Sequence, residues 1–160
     1  MDETAVRNCE ESIKYDAIGD IHGQADKLLA LLKKMSYQCS AGVWRHPERK
    51  AIFVGDFIDR GPHQRRTLDI VRPMVDSGSA MAVMGNHELN AIAWHTPDSN
   101  GDYLRSHFSP EYGASNRKQH QEFLREYEPS KDAHAEVMRW FVTLPLWLDF
   151  PAHLHRQGRD

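Results

Sequence analysis

Short apolar runs alternate with amphipathic stretches along the first half of the chain. Three runs have the length and apolar character of strands: 15–19, 51–54 and 80–84. Each is followed by apolar residues at helical spacing, which predicts helices over 25–35, 67–75 and 87–94. Pro73 falls inside the second of these helices and leaves its continuity open. Because strands and helices alternate, the pattern predicts an α/β fold whose parallel strands are joined by helical crossovers.

The second half of the chain has a less regular pattern. Residues 95–130 are polar and contain three prolines, and we interpret them as a cap or lid insertion with a short helix at 119–127. A helix over 132–142 would turn three large side chains toward the core: Val137, Trp140 and Phe141. The apolar run 144–148 would lead into another strand, whereas the residues after Pro151 are polar and resemble a tail.

Composition narrows the class of protein. A chain of 160 residues with 40% hydrophobic and 27% charged residues suits one globular domain over residues 1–160. The net charge of −3 argues against binding to a nucleic acid duplex. One local basic spot would suffice for a phosphate group: Arg60, Arg65 and Arg66.

The cysteine spacing and the hydropathy of the chain indicate the cellular compartment of the protein. Cys9 and Cys39 show neither metal-binding nor disulfide spacing, which is typical of a reducing cytoplasm. The first 15 residues are too polar for a signal peptide. No apolar run approaches the roughly 18 residues of a membrane span. We therefore expect a cytoplasmic protein that has no membrane partner.

Polar motifs follow all three strand-like runs. The first motif is 19–23 (Gly-Asp-Ile-His-Gly), the second is 55–61 (Gly-Asp-Phe-Ile-Asp-Arg-Gly) and the third is 85–88 (Gly-Asn-His-Glu). Ligands of α/β sheets bind beyond the carboxyl ends of the strands, so we expect the three motifs to form one site. Their carboxylate, imidazole, amide and guanidinium groups suit a two-metal hydrolase of phosphate esters.

The motifs supply candidate metal ligands. Asp20 and His22 alternate along the chain and would point the same way, toward one cation. Asp56 could bridge two ions with its two oxygens, and Asn86 offers a neutral oxygen. Taken alone, Asp20 and His22 are also compatible with an ordinary acid at a strand end beside a surface histidine.

Candidate catalytic residues lie in the second and third motifs. The forked guanidinium of Arg60 suits two oxygens of a phosphoryl group. His87, at a helix start, could protonate a leaving group, and Asp59 could hold its imidazole and raise its pKa. A surface ion pair between Asp59 and Arg60 is the alternative interpretation. Glu88 is expected to be a first-turn helix acid and not a ligand.

Together the motifs resemble the calcineurin-like metallophosphoesterases, in particular their phosphoprotein-phosphatase branch. That branch is marked by Gly-Asp-x-His-Gly, Gly-Asp-x-x-Asp-Arg-Gly and Gly-Asn-His-Glu, and all three occur here without substitution. The resemblance covers residues 15–148, and the stretch 140–150 is similar to bacterial serine/threonine phosphatases and diadenosine-tetraphosphatases. It implies a sandwich of mixed sheets flanked by helices.

The resemblance also implies roles for single residues. The metal ligands would be Asp20, His22, Asp56 and Asn86. His87 would be the general acid, Asp59 its partner, and Arg60 the phosphate contact. The implied reaction is hydrolysis of a phosphate ester by direct attack of a metal-bound hydroxide, with two divalent ions about 3.5–4 Å apart. Mixed oxygen and imidazole ligands suit manganese, iron, zinc or nickel, and manganese is the leading candidate.

The resemblance breaks near the C-terminus and implies a truncated domain. The family uses two later histidines for its second metal ion, and no matching strand or histidine follows residue 151. His155 is a candidate substitute, with a place in a frayed tail as the alternative, and His134 is expected on the surface. An incomplete second half would leave apolar sheet surface uncovered, which predicts self-association.

Several interpretations of the function stay open. A metallophosphoesterase could act on a phosphoprotein, a dinucleoside polyphosphate or a small monoester. The main alternative is a truncated, non-catalytic remnant that retains at most one metal site. A nuclease on the same scaffold fits less well, because the pattern shows no extended basic face.

Overall fold

The computed structural model describes residues 13–150, which form helices and strands as follows. The strands are β1 (Lys14–Ile18), β2 (Gln38–Ser40), β3 (Val43–Arg45), β4 (Arg49–Phe53) and β5 (Ala80–Ala82). The helices are α1 (Ala25–Lys34), α2 (Gln64–Asp76), α3 (Asn86–His95), α4 (Gly113–Tyr127) and α5 (Lys131–Thr143). All three strands and all three helices predicted in the first half are present, with ends that differ by a few residues.

A three-stranded parallel sheet with the order β1-β4-β5 carries the fold. Ile18 pairs with Phe53, and Phe53 pairs with Ala82, so the carboxyl ends of the strands are level. The ladder continues past the strands through Val54, whose N–H donates to the carbonyl of Ile18 at 2.9 Å. The predicted α/β fold with parallel crossovers is therefore confirmed, and the three motifs start at the same sheet edge.

The hairpin formed by β2 and β3 is absent from the sequence-based prediction. Its strands are only three residues long each and contain as many polar as apolar residues, so they are too short to show the apolar alternation that indicates a strand. The two residues between them, Ala41 and Gly42, have φ values of 49° and 79°. Two successive positive φ values match the tight hairpin turns that suit the twist of antiparallel strands. Alanine at the first of these positions hides the usual Asn-Gly signal.

Helix α2 runs without a break through Pro73. The proline removes one backbone donor, but the buried face of the helix packs against β5 and β3. The buried apolar residues of this face are Leu68, Ile70, Val71 and Met74. Tertiary packing of an amphipathic face thus outweighs the local cost of the proline.

Helices α4 and α5 complete the core beside the sheet. The prediction for α5 is confirmed, since Val137, Trp140 and Phe141 are all buried. Helix α4 begins six residues earlier than the predicted helix at 119–127. It is attached to α2 by Glu126, whose carboxylate accepts hydrogen bonds from the N–H groups of Gln64 (2.7 Å) and Arg65 (2.9 Å). These are first-turn donors of α2 that have no partner within the helix.

The run 144–148 does not begin a strand within the described residues. The carbonyl of Pro145 instead accepts a single hydrogen bond from the N–H of Met84 at 2.8 Å. Leu146 and Trp147 remain largely exposed. Among the helices at 13–150, none combines the length and the apolar character needed to cross a membrane.

Candidate active site

The first two motifs lie against each other, backbone to backbone, beyond the ends of β1 and β4. The N–H of His22 donates to the carbonyl of Asp56 at 2.8 Å, and the N–H of Gly23 donates to Phe57 at 2.7 Å. A Cβ atom on Gly61 would overlap the carbonyl oxygen of His22. Glycine at position 61 is thus required by this close approach, and the two loops form one rigid unit.

The backbone of these motifs is strained where the polar side chains project. Seven non-glycine residues of the described chain have positive φ, and five of them lie in the first two motifs: Asp20 (52°), His22 (45°), Asp56 (54°), Asp59 (69°) and Arg60 (62°). Each such residue costs about 1–3 kcal/mol and persists only where its surroundings hold it. Backbone strain concentrated at such polar residues is typical of a functional site.

His22 and Asp56 form the centre of a possible metal site. One ligand atom from each of His22, Asp56 and His87 lies within 4.8 Å of the others. The Nε2 atom of His22 is 4.0 Å from Oδ2 of Asp56, a separation that a shared ion can span. Nδ1 of His22 donates to the carbonyl of Ile58 at 3.0 Å, which leaves the lone pair of Nε2 free to bind a metal.

The other two predicted ligands lie at the rim of this group. Asp20 is exposed, and its carboxylate is outside the set of ligand atoms that converge within 4.8 Å. Asn86 is the exposed first residue of α3. The N–H of the next residue, His87, donates to Oδ1 of Asp56 at 3.1 Å, which brings the start of α3 next to the Asp56 carboxylate.

His87 and Asp59 form a buried pair beside the possible metal site. Nδ1 of His87 is 2.7 Å from Oδ2 of Asp59, and the two residues are 2% and 1% exposed. The hydrogen bond to Asp59 raises the pKa of His87, against the effect of burial. Burial alone would raise the pKa of Asp59, but hydrogen bonds from two histidines bring it below its usual value. The alternative of a surface ion pair between Asp59 and Arg60 is wrong, because the carboxylate is buried and engaged elsewhere.

His120 is a buried residue of the site that the sequence analysis missed. Its Nδ1 atom is 2.8 Å from Oδ1 of Asp59, and it is 3% exposed. A signal exists in the sequence, because four residues lie on one helical face at spacings of three and four: His120, Phe123, Leu124 and Tyr127. Nothing in this pattern distinguishes a histidine that faces the site from one that only packs in the core.

Glu88 does much more than the predicted first-turn acid. It is fully buried, and its carboxylate accepts three backbone hydrogen bonds, from Asp56 (2.8 Å), Phe57 (2.8 Å) and Gly85 (3.0 Å). Burial raises the pKa of Glu88, and the three donors oppose that rise. The side chain ties the second motif to the third and is not part of the group of possible metal ligands.

The expected basic spot is reduced to Arg60. Arg66 forms an ion pair with Asp26 at 2.6 Å. Arg65 donates to the carbonyl of Glu126 through Nε (2.9 Å) and Nη2 (2.7 Å). Arg60, in the second motif, is exposed and lies beside α4. Its guanidinium is accessible to a ligand.

The sequence also suggested positions for two further histidines, His134 and His155. His134 was expected on the surface, but it is only partly exposed, and its Nε2 atom is buried with no hydrogen-bond partner within residues 13–150. Burial lowers the pKa of His134 to about 4, and the neighbouring His95, His120 and Arg65 add to this effect. His155, the candidate substitute ligand, lies outside the described residues.

Comparisons with known proteins agree with this geometry. The family model described as calcineurin-like phosphoesterase matches residues 13–155. Two curated relatives, both named bis(5'-nucleosyl)-tetraphosphatase PrpE (asymmetrical), match 76 residues. The one from Geobacillus sp. (strain WCH70) is 45% identical and the one from Halalkalibacterium halodurans is 41% identical. Each match covers 47% of this chain and 31% of the relative, so the chain spans about a third of the length of these relatives.

A solved structure is also similar in fold. A protein serine/threonine phosphatase from Saccharomyces cerevisiae is 21% identical, with a TM-score of 0.56. The similarity covers 87% of this chain and 35% of that chain.

Proposed function

Because the chain belongs to the calcineurin-like phosphoesterase family, we propose that it hydrolyses phosphate esters with the help of bound divalent metal ions. The observation that carries the proposal is the buried His87–Asp59 pair next to the converging atoms of His22 and Asp56. This arrangement combines a possible metal site with a proton donor, which is what hydrolysis of a phosphate ester requires.

The residues present fit a metal ion, because Nδ1 of His22 donates to the carbonyl of Ile58 and its other nitrogen, Nε2, is 4.0 Å from the Asp56 carboxylate, where both could bind one ion. We propose that Asp20, His22 and Asp56 hold a first ion and that Asp56 and Asn86 contribute to a second. When bound, such ions lower the pKa of water and neutralise charge on the phosphoryl group. Oxygen and imidazole donors suit manganese, which is our first candidate, and also iron, zinc or nickel.

His87 is proposed to act as the general acid through Nε2. Its Nδ1 atom is engaged by Asp59, so Nε2 is the atom left to deliver a proton to the leaving oxygen. The hydrogen bond to Asp59 raises the pKa of His87, which keeps more of the imidazole protonated near neutral pH. Arg60 is proposed to bind and orient phosphoryl oxygens from the exposed side.

The proposed substrate is a dinucleoside polyphosphate, with a phosphoprotein or a small monoester as the alternatives. The name of the curated relatives, bis(5'-nucleosyl)-tetraphosphatase, supports this order of testing. We propose that the insertion at 95–130 contacts the part of the substrate beyond the reacting phosphate, as a cap or lid. In this segment α4 presents Ser115, Lys118 and Gln119 beside Arg60.

Hydrolysis and metal content together test the proposal. His87→Ala should lower the rate on diadenosine tetraphosphate or a chromogenic monoester by about a hundredfold or more, the scale of general acid catalysis. The control is His46→Ala. His46 follows the β2–β3 hairpin, and this variant should retain the rate of hydrolysis. Equal rates for His87→Ala and the unchanged protein would mean that the activity does not arise at this site.

The number of bound manganese ions separates the proposal from its main alternative. We expect two ions per chain, which should fall when His22 is changed to Ala. At most one ion, together with no hydrolysis, would favour the non-catalytic remnant.

We also propose that the protein is cytoplasmic and that its copies associate. The exposed thiol of Cys39 fits a reducing compartment. Several large apolar side chains are exposed near the end of the described chain: Val142, Leu146, Trp147 and Phe150. Sedimentation at increasing protein concentration tests the association, and a monomer at all concentrations would contradict it.

A further inference from the structure

Both oxygens of the Asp59 carboxylate are engaged by imidazole rings. Oδ2 is 2.7 Å from Nδ1 of His87, and Oδ1 is 2.8 Å from Nδ1 of His120. All three side chains are at least 97% buried. His120 belongs to α4, 61 residues along the chain from Asp59, so the contact exists only because α4 packs over the site.

The surroundings of His120 indicate which of its nitrogen atoms carries the proton. Its Nε2 atom is buried and has no hydrogen-bond partner within the described part of the chain. A proton on Nε2 would therefore be a buried donor without an acceptor, which is costly. The favoured tautomer carries its proton on Nδ1, so His120 donates to Asp59.

The ring of His120 is held in place by packing against two aromatic rings. It stacks on Phe123, with ring centroids 4.8 Å apart and planes 21° apart, and lies 6.2 Å from the ring of Trp94. Helix α4 is itself fixed to α2 through Glu126. The donor that faces Oδ1 of Asp59 is therefore rigidly placed.

Asp59 is also fixed from its backbone side. Its φ of 69° is in the left-handed region, and its N–H donates to Oε1 of Gln64 at 2.8 Å. With the backbone held, the carboxylate group can still rotate about the side-chain bonds of Asp59. The hydrogen bond from His120 removes this freedom, since rotation would break it.

We propose that His120 is a positioning residue: it holds the Asp59 carboxylate in the one orientation in which the other oxygen aligns the His87 imidazole. The inference rests on the proposed function, in which His87 delivers a proton. Without His120, the carboxylate would rotate and the imidazole of His87 would sample orientations that do not face the leaving group.

Two substitutions at position 120 test the proposal through kinetics. His120→Phe keeps the ring and removes the donor, whereas His120→Asn places an amide nitrogen at the position of Nδ1. We expect His120→Phe to lower kcat by about tenfold to a hundredfold, less than the loss of the general acid itself. KM should stay within about twofold, because His120 is buried and its Nδ1 is engaged by Asp59, and His120→Asn should recover most of kcat.

The matched control is His134→Phe. His134 is a partly buried histidine whose Nε2, like that of His120, has no hydrogen-bond partner within residues 13–150, but His134 forms no hydrogen bond with Asp59. The His134→Phe variant should retain the kcat of the unsubstituted protein. A wild-type kcat in a folded His120→Phe variant, or a loss in His120→Asn as large as in His120→Phe, would overturn the proposal.

The two hydrogen bonds to Asp59 can also be measured in the unsubstituted protein. This test needs neither activity nor a variant that folds. In ¹⁵N-labelled protein, His87 and His120 should both show an Nδ1–H proton that is strongly shifted by its hydrogen bond to a carboxylate. Only one such proton would overturn the proposal. If both are present but the protein hydrolyses no phosphate ester, the proposed function fails while the geometry of the His120–Asp59–His87 group stands.

In the active protein, the same spectrum can be compared between variants. The His87 Nδ1–H signal should shift in His120→Phe and return toward its original position in His120→Asn. An unchanged signal in His120→Phe would show that His120 does not position His87.

Discussion

The buried carboxylate of Glu88 allows a sharp prediction about how the site is held together. It accepts three backbone hydrogen bonds, from Asp56, Phe57 and Gly85, and is fully shielded from solvent. Glu88→Ala would leave these three donors without their acceptor. A buried donor left unsatisfied costs about 1–3 kcal/mol, and Phe57 is fully buried, whereas Asp56 and Gly85 are partly buried.

The expected loss is about 4–5 kcal/mol in the free energy of unfolding, taking the upper half of that range for Phe57 and about 1 kcal/mol for each of the other two. This is a large part of the total stability of about 5–15 kcal/mol of a typical domain. Glu88→Gln keeps one acceptor oxygen but turns an NH₂ group toward a donor, and should cost about half as much.

Equilibrium unfolding in urea measures both variants. Glu136→Ala is the matched control, because Glu136 is an exposed helix residue that pairs with Arg72 at 2.8 Å. An exposed ion pair contributes about 0.2–1 kcal/mol, so the control should lose no more than that. A loss below 1 kcal/mol in Glu88→Ala would refute the argument that these hydrogen bonds hold the second motif to the third.

Three further predictions concern pH, the catalytic pair and the contact between the loops. The pKa of His134 is lowered to about 4 by burial, so the unfolded chain binds more protons below pH 6.5. Stability should fall by up to about 3 kcal/mol between pH 6.5 and 4 through this residue, and urea unfolding of His134→Phe should show a correspondingly flatter dependence on pH. Asp59→Asn replaces the charged acceptor that raises the pKa of His87 with a neutral amide, so the pKa of His87 should fall. Activity that needs a protonated His87 is lost as pH rises, so the basic limb of the kcat profile should move to lower pH, and an unmoved limb would argue against His87 as the acid. Gly61→Ala places a methyl group against the carbonyl oxygen of His22 and should destabilise the fold by about 1–3 kcal/mol and weaken manganese binding, whereas Gly78→Ala, in open space, should leave manganese binding unchanged.

The local pattern of the sequence was sufficient for the sheet and for the place of the site. Apolar runs at 15–19, 51–54 and 80–84 predicted three strands that the structure contains, and the signal is strongest for β4 and β5, which are partly or fully buried, whereas β1 is mostly exposed. Alternation with helices predicted parallel strands, and this put all the motifs at one edge. The strongest inferences therefore needed only neighbours in sequence and one rule of topology.

Elements without an apolar signature could not be found in this way. The β2–β3 hairpin has strands of only three residues each, with no apolar alternation, and has alanine in its turn. The prediction of a strand after residue 144 failed over the described residues, since an apolar run does not by itself supply a neighbouring strand for pairing. Hydrophobicity indicates that a segment tends to be buried, but not what it will pack against.

The sequence by itself determined which residue types gather beyond the sheet, and thereby the class of chemistry that they suit. Only the tertiary structure decided which side chains engage each other. His120 reaches Asp59, and Glu126 bonds to Arg65, across about 60 positions of chain. The same packing fixes Glu88 beneath the second motif and draws Arg65 and Arg66 away from Arg60. Hydrogen bonds act only over about 3 Å, so the choice of partners is made when helices dock, and periodicity along the chain carries no record of it.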